Sequence, residues 1–500
     1  MPSIKEVHMP AERSTIVPES VPDNYPNNKP RDVFSSPPEL ISHESPIREF
    51  RLPPEVKDSL DEHQRRLLLR LERVTRRWAD LFELRVSKDP RFPFYPPGVD
   101  KSEIFEEDRL HPELQLLSEY TIVKLTDDGD LIAIPMHQFY AKTIEEKGII
   151  PLLKEAAADS GRGRNRDNKF QAYLRVLAES LKTGNFKAST KIWLEREAGD
   201  EPVVDIILGF NDTYQDKFLG IKFSPWASVG VLDRQLTRDS QWYINAYRPE
   251  YERETGQESP RVNIRADHTR LQSGLAVQYE WNANCLPCQR DWRQELGSKF
   301  VFFVPRFENK LPRRIESFRE FIKRGKIQGI TDSFVKLAAF RKLIAHEFNH
   351  SQLPGENHQQ RLRQHTSWLK ELYCDLLALT CYRGIKGISP RETEMAMAMT
   401  LADGYLDFED RRKRADYHIA STILTSFLLQ RGSVRIENGV FTWDDSQNVF
   451  NDIKQLLLDV RNLLEEGRFR DVQRLHWRLF RPDIYRVLLA QGTFSRNDQK

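Results

Sequence analysis

The string His346-Glu-Phe-Asn-His350 constrains the fold of this 500-residue chain more than any other feature of the sequence. Residues four apart in an α-helix lie on one face, so the two imidazoles project together only where the chain is helical. Histidines at this spacing, with a glutamate after the first, are typical of zinc sites, and roughly 0.02 such pentapeptides are expected here by chance. A surface helix with two solvated histidines is the alternative. We predict that His346 and His350 bind zinc, with Glu347 beside the ion.

A second pair of ionisable residues follows this pentapeptide after a short connection. Glu371 and Asp375 are also four residues apart, in a stretch with helical periodicity, and therefore share a helix face. A solvated acidic stripe would have the same spacing, but a third ligand on an antiparallel helix suits the pair of histidines. We predict that Glu371 completes a site for one Zn2+ per chain. We expect Asp375 to hydrogen-bond a liganding imidazole and fix its tautomer.

Two further histidines, His358 and His365, lie close by in the sequence. A metzincin-type site would need histidine in place of Glu356 and glycine in place of Leu353, so that pattern is excluded. We therefore expect His358 and His365 to be loop or cleft residues rather than ligands.

The predicted ligand set leaves the fourth zinc position open for water. Zinc lowers the pKa of bound water, and Glu347 is placed to take the proton and pass it to a leaving amine. Amide hydrolysis is the default reaction for these groups. Hydration, dehydration or another lyase reaction would use the same parts.

Helical periodicity dominates the second half of the chain. Asp332 or Ser333 is a suitable N-cap for the helix that carries the pentapeptide, and Pro354-Gly355 ends its pattern. Apolar spacing predicts helices earlier in the chain as well. The predicted helices lie at 60–84, 168–183, 332–352, 360–382, 390–404, 414–431, 447–466 and 469–479.

Strand-like patterns lie mainly in the middle of the chain. Residues 121–135 predict a hairpin that turns at Asp128-Gly129. Further strands are predicted at Lys191–Glu195, Val203–Phe210, Lys217–Phe223, Ser228–Leu232 and Lys299–Val304. Together these patterns predict an α+β protein with a mixed or antiparallel sheet.

The charge balance and the cysteine count exclude several classes of protein. Lys and Arg number 76 and Asp and Glu 74, a net charge of +2, which argues against a dedicated nucleic-acid binder. Four cysteines in 500 residues are no disulfide framework. We read neither a secretion signal nor a membrane span in the sequence, and we expect a cytoplasmic protein without a membrane or nucleic-acid partner.

The prolines divide the chain into two regions of different composition. Eleven of the 28 prolines fall at or before Pro54, while the first glycine is Gly98. Such a segment buries too little apolar surface to order itself, so we predict a disordered tail at 1–54, with a short docking motif as the alternative. A second, short tail is predicted at 491–500.

The sequence resembles the dipeptidyl peptidase III family of zinc metallopeptidases over roughly residues 60–480. The likeness extends beyond the zinc motif to several ordered stretches. These are Phe94–Gly98 with Lys101, Glu119–Val123, Gly129–Pro135, Ile206–Asp216, Leu286–Lys299, His418–Gly432 and Asn438–Phe441.

The resemblance implies two lobes around a cleft. One lobe, at 306–490, would be largely helical and bear the zinc, and the other, at 55–305, would be mixed with an antiparallel sheet or barrel. The family removes dipeptides from the N-terminus of short peptides, so a short peptide or small-molecule substrate is expected in the cleft. The oligomeric state is left open.

The resemblance also implies roles for individual residues. Tyr214 corresponds to a tyrosine that polarises the scissile carbonyl, and His418 to a histidine that stabilises the transition state. Asp212 stands where the family has a glutamate that binds the peptide amino group. Asn282 and Asn284 lie close to the positions at which the family has asparagines that bind the substrate backbone.

The sequence departs from the family in two places. Most members have a six-residue zinc motif, whereas this chain has the five-residue form. Cys285 and Cys288 occupy the region of the substrate-binding asparagines, and we expect them to be small, half-buried residues rather than a redox pair.

Three functions are compatible with these residues. The favoured one is a zinc exopeptidase. The first alternative is an enzyme on the same scaffold that acts on a non-peptide small molecule as a hydrolase, lyase or isomerase. The second is a catalytically idle scaffold that binds partners, which the presence of Glu347 disfavours.

Overall fold

The computed structural model describes residues 47–86, 121–125, 131–162, 167–196, 202–208, 226–274, 276–277, 282–287, 290–355, 358–409, 415–486 and 488. The fold is mixed α+β, as predicted. The chain divides into two compact units. The first comprises residues up to Leu232 with His268–Trp281 and Pro287–Trp292, and the second comprises Asp233–Asp267, Asn282–Leu286 and the residues from Arg293 onward. The predicted lobe boundary between residues 305 and 306 stays a prediction.

The first unit is built mainly from helices that pack in succession. Its elements are β1 Ile47–Glu49, α1 Pro54–Ser59, α2 Glu62–Val86, β2 Thr121–Leu125, β3 Leu131–Pro135, α3 Met136–Phe139, α4 Ala141–Glu146, α5 Ile149–Ser160, α6 Asn168–Thr183, α7 Phe186–Leu194, β4 Val204–Ile207 and β5 Trp226–Leu232. Helix α2 packs on α5, α5 on α6, and α6 on α7. Helix α2 buries Leu67, Leu71, Val74, Trp78 and Leu81, which are the apolar residues whose spacing predicts it.

The predicted hairpin is confirmed by the pairing of two strands. Strand β2 runs antiparallel to β3, with Thr121 opposite Pro135 and Leu125 opposite Leu131. The turn residues Asp128-Gly129 lie outside the described residues. Strands β4 and β5 are also antiparallel, with Val204 opposite Val231.

Two predictions for the first unit are wrong. Lys191–Glu195 is not a strand, because it lies at the end of helix α7, whose buried residues Phe186, Ser189, Thr190 and Trp193 recur with helical spacing. The predicted tail 1–54 is wrong at its C-terminal end, and residues 1–46 lie outside the described residues. Strand β1 lies inside it and pairs with Leu271–Ser273, and the following Phe50 is buried. The predicted strand Lys217–Phe223 and residues 491–500 lie outside the described residues.

The second unit carries the longest helices. Its elements are α8 Arg234–Thr255, β6 Val262–Gly274, β7 Ala283–Leu286, α9 Arg290–Leu296, β8 Ser298–Phe303, α10 Val304–Phe321, α11 Arg324–Ile327, α12 Asp332–His350, α13 His358–Leu362, α14 Thr366–Tyr382, α15 Pro390–Glu409, α16 Ala415–Arg431, β9 Arg435–Glu437, β10 Val440–Thr442, α17 Ser446–Glu465 and α18 Phe469–Leu479. The last part of β6 and the first part of α9 belong to the first unit.

The predicted helices of the second unit are confirmed, with two corrections. The predicted helix 360–382 is divided into α13 and α14 by a 3-10 turn at Arg363–His365, where Arg363 has a φ of 54°. The N-cap of α12 is Thr331 rather than Asp332 or Ser333, because the Thr331 hydroxyl accepts the backbone N–H of Phe334 at 3.3 Å.

The strands of the second unit form a mixed arrangement. The first half of β6 runs parallel to β8, with Val262 opposite Ser298. Strand β7 runs antiparallel to β8 on its other side, with Ala283 opposite Phe302. Alternate residues such as Cys285 therefore join the hydrophobic core, in the same cluster as the buried residues of α12.

Helix α14 lies at the centre of this unit. It packs against α12, α16 and α17, and 12 of its 17 residues are buried. A helix that is apolar on nearly all sides is typical of a protein core. Among the described residues, no helix is long and apolar enough to cross a membrane.

Candidate metal centre

Two facing helices bring the four predicted site residues together. His346 and His350 lie one turn apart on α12, and Glu371 and Asp375 lie one turn apart on α14. Because α12 packs against α14, the two faces meet in the interior of the second unit. His346 is 4% exposed, while the side chains of His350 and Glu371 keep 21% and 17% of their surface accessible. The cluster is therefore largely buried but open to solvent on one side.

Three of these side chains offer donor atoms at metal-ligand spacing. The Nε2 atoms of His346 and His350 are 3.1 Å apart, and the Glu371 Oε2 atom lies 3.1 Å from the first and 3.5 Å from the second. A tetrahedral ion with ligand bonds of about 2.1 Å, the length typical of zinc, requires ligand atoms about 3.4 Å apart. The residues present therefore fit one metal ion, and among the described residues they form the one such group of histidine, cysteine and carboxylate side chains.

Asp375 fixes the orientation of one imidazole. Its Oδ1 atom lies 2.8 Å from Nδ1 of His346. A carboxylate only accepts hydrogen bonds, so Nδ1 carries a proton, and in the neutral ring Nε2 is the nitrogen left to bind a metal ion. Nε2 of His346 and Oε2 of Glu371 lie 3.1 Å apart, a separation at which they can share a proton or bind one metal ion.

The charges of the cluster support one another. Burial disfavours the imidazolium of His346, but Asp375 and Glu371 outweigh it and raise the pKa of His346 to about 10. Burial also opposes the charged form of Glu371, yet His350 and His346 hold the pKa of its carboxyl far below the usual range. With no ion, a proton would therefore occupy the cluster, and a metal ion must displace it.

Glu347 lies beside the candidate ligands on α12. Its carboxyl has a raised pKa, whereas the pKa values of Glu371 and Asp375 are lowered. Burial raises the pKa of its carboxyl, against the opposing effect of His350 and His346. A carboxylate with a raised pKa is suited to take up a proton at neutral pH. The thiol of Cys285 is a neighbour whose pKa is raised to about 11, chiefly by burial, and Glu347 adds to that shift.

Asn349 connects helices α12 and α14 through a hydrogen bond. Its Nδ2 donates to the backbone oxygen of Cys374 on α14 at 3.0 Å, and its Oδ1 accepts the hydroxyl of Tyr247 on α8 at 3.0 Å. Asn349 is completely buried. Three helices are thus joined by one side chain that lies between the two histidines in the sequence.

His418 lies in an aromatic environment on α16. Its ring contacts Phe408, Phe480 and Tyr485 at centroid distances of 5.6, 5.5 and 6.4 Å. The residue before it, Tyr417, places its ring 6.5 Å from that of His346. The catalytic role of His418 stays a prediction.

The remaining predicted site residues fall in two groups. Asn284 is buried on β7 opposite Val301, and Asn282 directly precedes the strand, where its backbone oxygen accepts the N–H of Phe303 at 2.8 Å. Tyr214 and Asp212 lie outside the described residues, so their roles stay predictions.

Cys285 is a free thiol, and it is buried rather than half-buried as predicted. Cys288, the other cysteine of the predicted pair, lies outside the described residues.

One residue of the site escaped the sequence prediction. Lys342 places Nζ 2.8 Å from Oδ1 of Asp375, the same oxygen that His346 contacts. The signal was present in the spacing, since Lys342, His346 and His350 follow one another at intervals of four residues on one helix face. The position of Tyr417 beside His346 was also not predicted, because no spacing in the sequence indicates it.

A second pair of histidines lies away from the carboxylates. His365, in the 3-10 turn, accepts the indole N–H of Trp368 on Nδ1 at 3.0 Å, and its ring lies 5.6 Å from that of His476 on α18. His358, at the start of α13, contacts the backbone oxygen of Pro354 through Nε2 at 2.6 Å. In the described structure, neither His358 nor His365 belongs to the donor triangle.

The chain matches no protein-family model and no curated protein. The solved structures that are similar to it include the following two. The structure of DPP III from Caldithrix abyssi gives a TM-score of 0.69 at 18% sequence identity, over 89% of this chain and 95% of that one. The structure of dipeptidyl-peptidase III from Corallococcus sp. strain EGB gives a TM-score of 0.71 at 17% identity, over 89% of this chain and 93% of that one. The chain therefore has a DPP III-like fold.

Proposed function

We propose that this chain is a zinc-dependent metallopeptidase of the dipeptidyl peptidase III type, which releases dipeptides from the N-terminus of short peptides. The observation that carries the proposal is the triangle of His346 Nε2, His350 Nε2 and Glu371 Oε2, with sides of 3.1, 3.1 and 3.5 Å. Two imidazoles and one carboxylate are a zinc ligand set that leaves a fourth position open, as catalytic sites require. The likeness of the fold to DPP III structures gives additional support.

The residues of the cluster have different roles in the proposed site. His346, His350 and Glu371 would hold the ion, and Asp375 keeps the lone pair of His346 directed toward it through the 2.8 Å contact with Nδ1. Zinc bound there would supply Lewis-acid activation of a water molecule and of the scissile carbonyl. The ordered contacts hold the ligands in place before the substrate arrives.

Glu347 performs the proton transfers in this proposal. Its carboxylate takes the proton from the attacking water, and the raised pKa allows it to hold that proton on its oxygen while the peptide bond is attacked. Delivery of the same proton to the leaving amine returns Glu347 to its ionised form. General acid–base transfer of this kind contributes typically 10²–10⁴-fold to rate.

The finer assignments rest on the resemblance alone. Tyr214 and His418 are proposed to stabilise the developing charge on the carbonyl oxygen, and Asp212 to bind the free amino group of the peptide. Asn282 and Asn284 are proposed to bind the peptide backbone. A cytoplasmic location is proposed from the buried free thiols of Cys285, Cys374 and Cys381, which suit a reducing compartment.

The test compares peptide substrates with a free and a blocked amino terminus. Zinc-loaded protein is incubated with a dipeptidyl naphthylamide, its N-acetylated counterpart and a set of tetra- to octapeptides. We expect dipeptide release from the free-amine substrates, loss of release with a zinc chelator, and recovery when zinc is restored. Absence of any chelator-sensitive cleavage would refute the exopeptidase.

The same experiment addresses the alternative, a zinc enzyme of this scaffold that acts on a non-peptide small molecule. The altered amine-binding and backbone-binding positions motivate it; Asp212 and Cys288 lie outside the described residues, and Cys285 is buried. Stoichiometric zinc in the protein, together with no cleavage of any peptide, would favour this alternative. Absence of stoichiometric zinc from protein refolded with the ion would refute both enzymes.

A further inference from the structure

Lys342 shares one carboxylate oxygen with a predicted metal ligand. Its Nζ and the Nδ1 of His346 both lie 2.8 Å from Oδ1 of Asp375. The side chains of Lys342 and Asp375 are 13% and 16% exposed, so solvent screens this contact only in part. Lys342 lies one turn before His346 on α12, which brings its ammonium group to the carboxylate from the side of the metal-site helix.

A cation at this oxygen changes what the carboxylate does for the imidazole. A carboxylate that accepts the N–H of a liganding histidine makes the other nitrogen a stronger donor to metal. Lys342 competes for the same oxygen of Asp375 and draws electron density away from that hydrogen bond. Its positive charge also repels any cation held by His346, one imidazole and one carboxylate away. Both effects reduce the attraction between the cluster and a metal ion.

We propose that Lys342 is a positioning residue that acts through Asp375 to weaken the hold of His346 on the metal ion. The inference rests on the proposed function, since it concerns the same ion. A ligand that donates less electron density leaves the ion a stronger Lewis acid, which favours the activation of water. Lys342 therefore lowers metal affinity in favour of reactivity.

A purely structural role for Lys342 leads to the opposite expectation. If the residue served only to attach α12 to α14, its removal would loosen the donor triangle and weaken metal binding. The sign of the affinity change therefore separates the two roles. Substitution by arginine adds a second criterion, because it keeps the charge and the hydrogen bond to Asp375.

The experiment measures zinc affinity directly. Metal-free wild type and the variants Lys342→Met and Lys342→Arg compete for zinc with a chromogenic chelator, and Lys336→Met serves as the matched control. Lys336 lies on the same helix but pairs with Glu308 at 2.8 Å and is 48% exposed. We expect Lys342→Met to bind zinc about tenfold more tightly than wild type, because a nearby positive charge is removed. Lys342→Arg and Lys336→Met should stay within about threefold of wild type.

Peptide hydrolysis provides the second readout. We expect kcat of Lys342→Met to fall although zinc binds more tightly, and Lys342→Arg to restore it. Weaker or unchanged zinc binding in Lys342→Met, or tighter binding in Lys342→Arg, would overturn the inference. If Lys342→Met does not fold, Lys342→Gln replaces it under the same criteria. Wild type that binds no zinc would overturn the proposed function, whereas zinc-binding wild type with an unresponsive Lys342→Met overturns only the role of Lys342.

Discussion

The second unit contains two pairs of neighbouring histidines with opposite properties. The rings of His346 and His350 lie 4.8 Å apart, and those of His365 and His476 lie 5.6 Å apart. Both pairs are largely removed from solvent. The first pair faces carboxylates, whereas the second is packed among aromatic rings. The residues that surround them are Glu371 and Asp375 in the first case and Trp368, Phe469 and Phe480 in the second.

The neighbouring residues, and not burial, account for the difference in charge between the two pairs. Burial lowers the pKa of His365 and His476 to about 4, and no carboxylate among the described residues opposes it. The same burial acts on His346, but Asp375 and Glu371 raise the pKa of that ring to about 10. One pair therefore attracts a cation and the other excludes one. A histidine pair in a sequence indicates a metal site only when acidic residues reach the same place.

The largest effect is expected from the base of the first cluster. Glu347→Gln keeps the size of the side chain but removes its ability to accept a proton, so kcat/KM for a dipeptidyl naphthylamide should fall 10²–10⁴-fold. Zinc content, measured by elemental analysis, should be unchanged. His476→Phe, at the second pair, should keep wild-type activity. A Glu347→Gln variant with more than a tenth of wild-type turnover would remove Glu347 as the general base.

The next effect concerns the metal itself. Glu371→Ala deletes one corner of the donor triangle, so zinc affinity should fall more than about 100-fold in a chelator competition. Substitution of a residue that only hydrogen-bonds a ligand typically costs about 10- to 100-fold, so loss of a ligand should cost more. His476→Phe should bind zinc like wild type, because the ring of His476 lies against Trp368 and Phe480 and outside the donor triangle. Unchanged zinc affinity in Glu371→Ala would place the third ligand elsewhere.

A smaller effect is expected from the residue that orients His346. Asp375→Asn keeps the shape of the side chain but loses its charge, and zinc affinity should fall about 10- to 100-fold. Circular dichroism should verify that the variant keeps its helices. Asp375→Asn with undiminished zinc affinity would show that the contact with His346 does not support the metal.

The smallest effect concerns stability at the aromatic pair. The folded pKa of His476, about 4, lies below its ordinary value of 6.5, so the fold favours the neutral ring. The stabilisation is complete above about pH 6.5 and is lost as pH falls toward 4. Metal-free wild type should therefore lose more unfolding free energy between pH 7.5 and 4.5 than His476→Phe, by roughly 2 kcal/mol. Urea titrations at the two pH values measure this difference. Equal pH dependence in wild type and His476→Phe would mean that His476 titrates alike in the folded and unfolded chain.

The helices and the grouping of His346, His350, Glu371 and Asp375 could be predicted because their determinants are local. Spacing of four residues fixes which side chains share a helix face, so Glu371 and Asp375 could be assigned from the sequence alone. The facing of α12 and α14 was the added hypothesis, and the contacts between their side chains confirm it. The contact of Lys342 and His346 with the same oxygen of Asp375 could not be predicted, because helix spacing does not specify which carboxylate oxygen a side chain reaches.

The sheet was harder to predict because polar residues occupy its interior. Strand β6 buries Arg265, which pairs with Asp267 at 2.7 Å on the same strand. A buried ion pair of this kind interrupts the apolar alternation that marks a strand in a sequence. The misassigned segment Lys191–Glu195 illustrates the opposite error, since five residues at the end of a helix can alternate by chance.

The side chain of Asn349 has a consequence for the order of events in assembly. Because its two buried hydrogen bonds attach α12 to both α14 and α8, the helices meet through the interior of the protein and not through the ion. The donor atoms can then be in place before any metal arrives, unlike in small zinc domains that are unfolded without it. Such preorganisation makes the metal-free protein a folded receptor for the proposed ion, which could leave and return without unfolding of the chain.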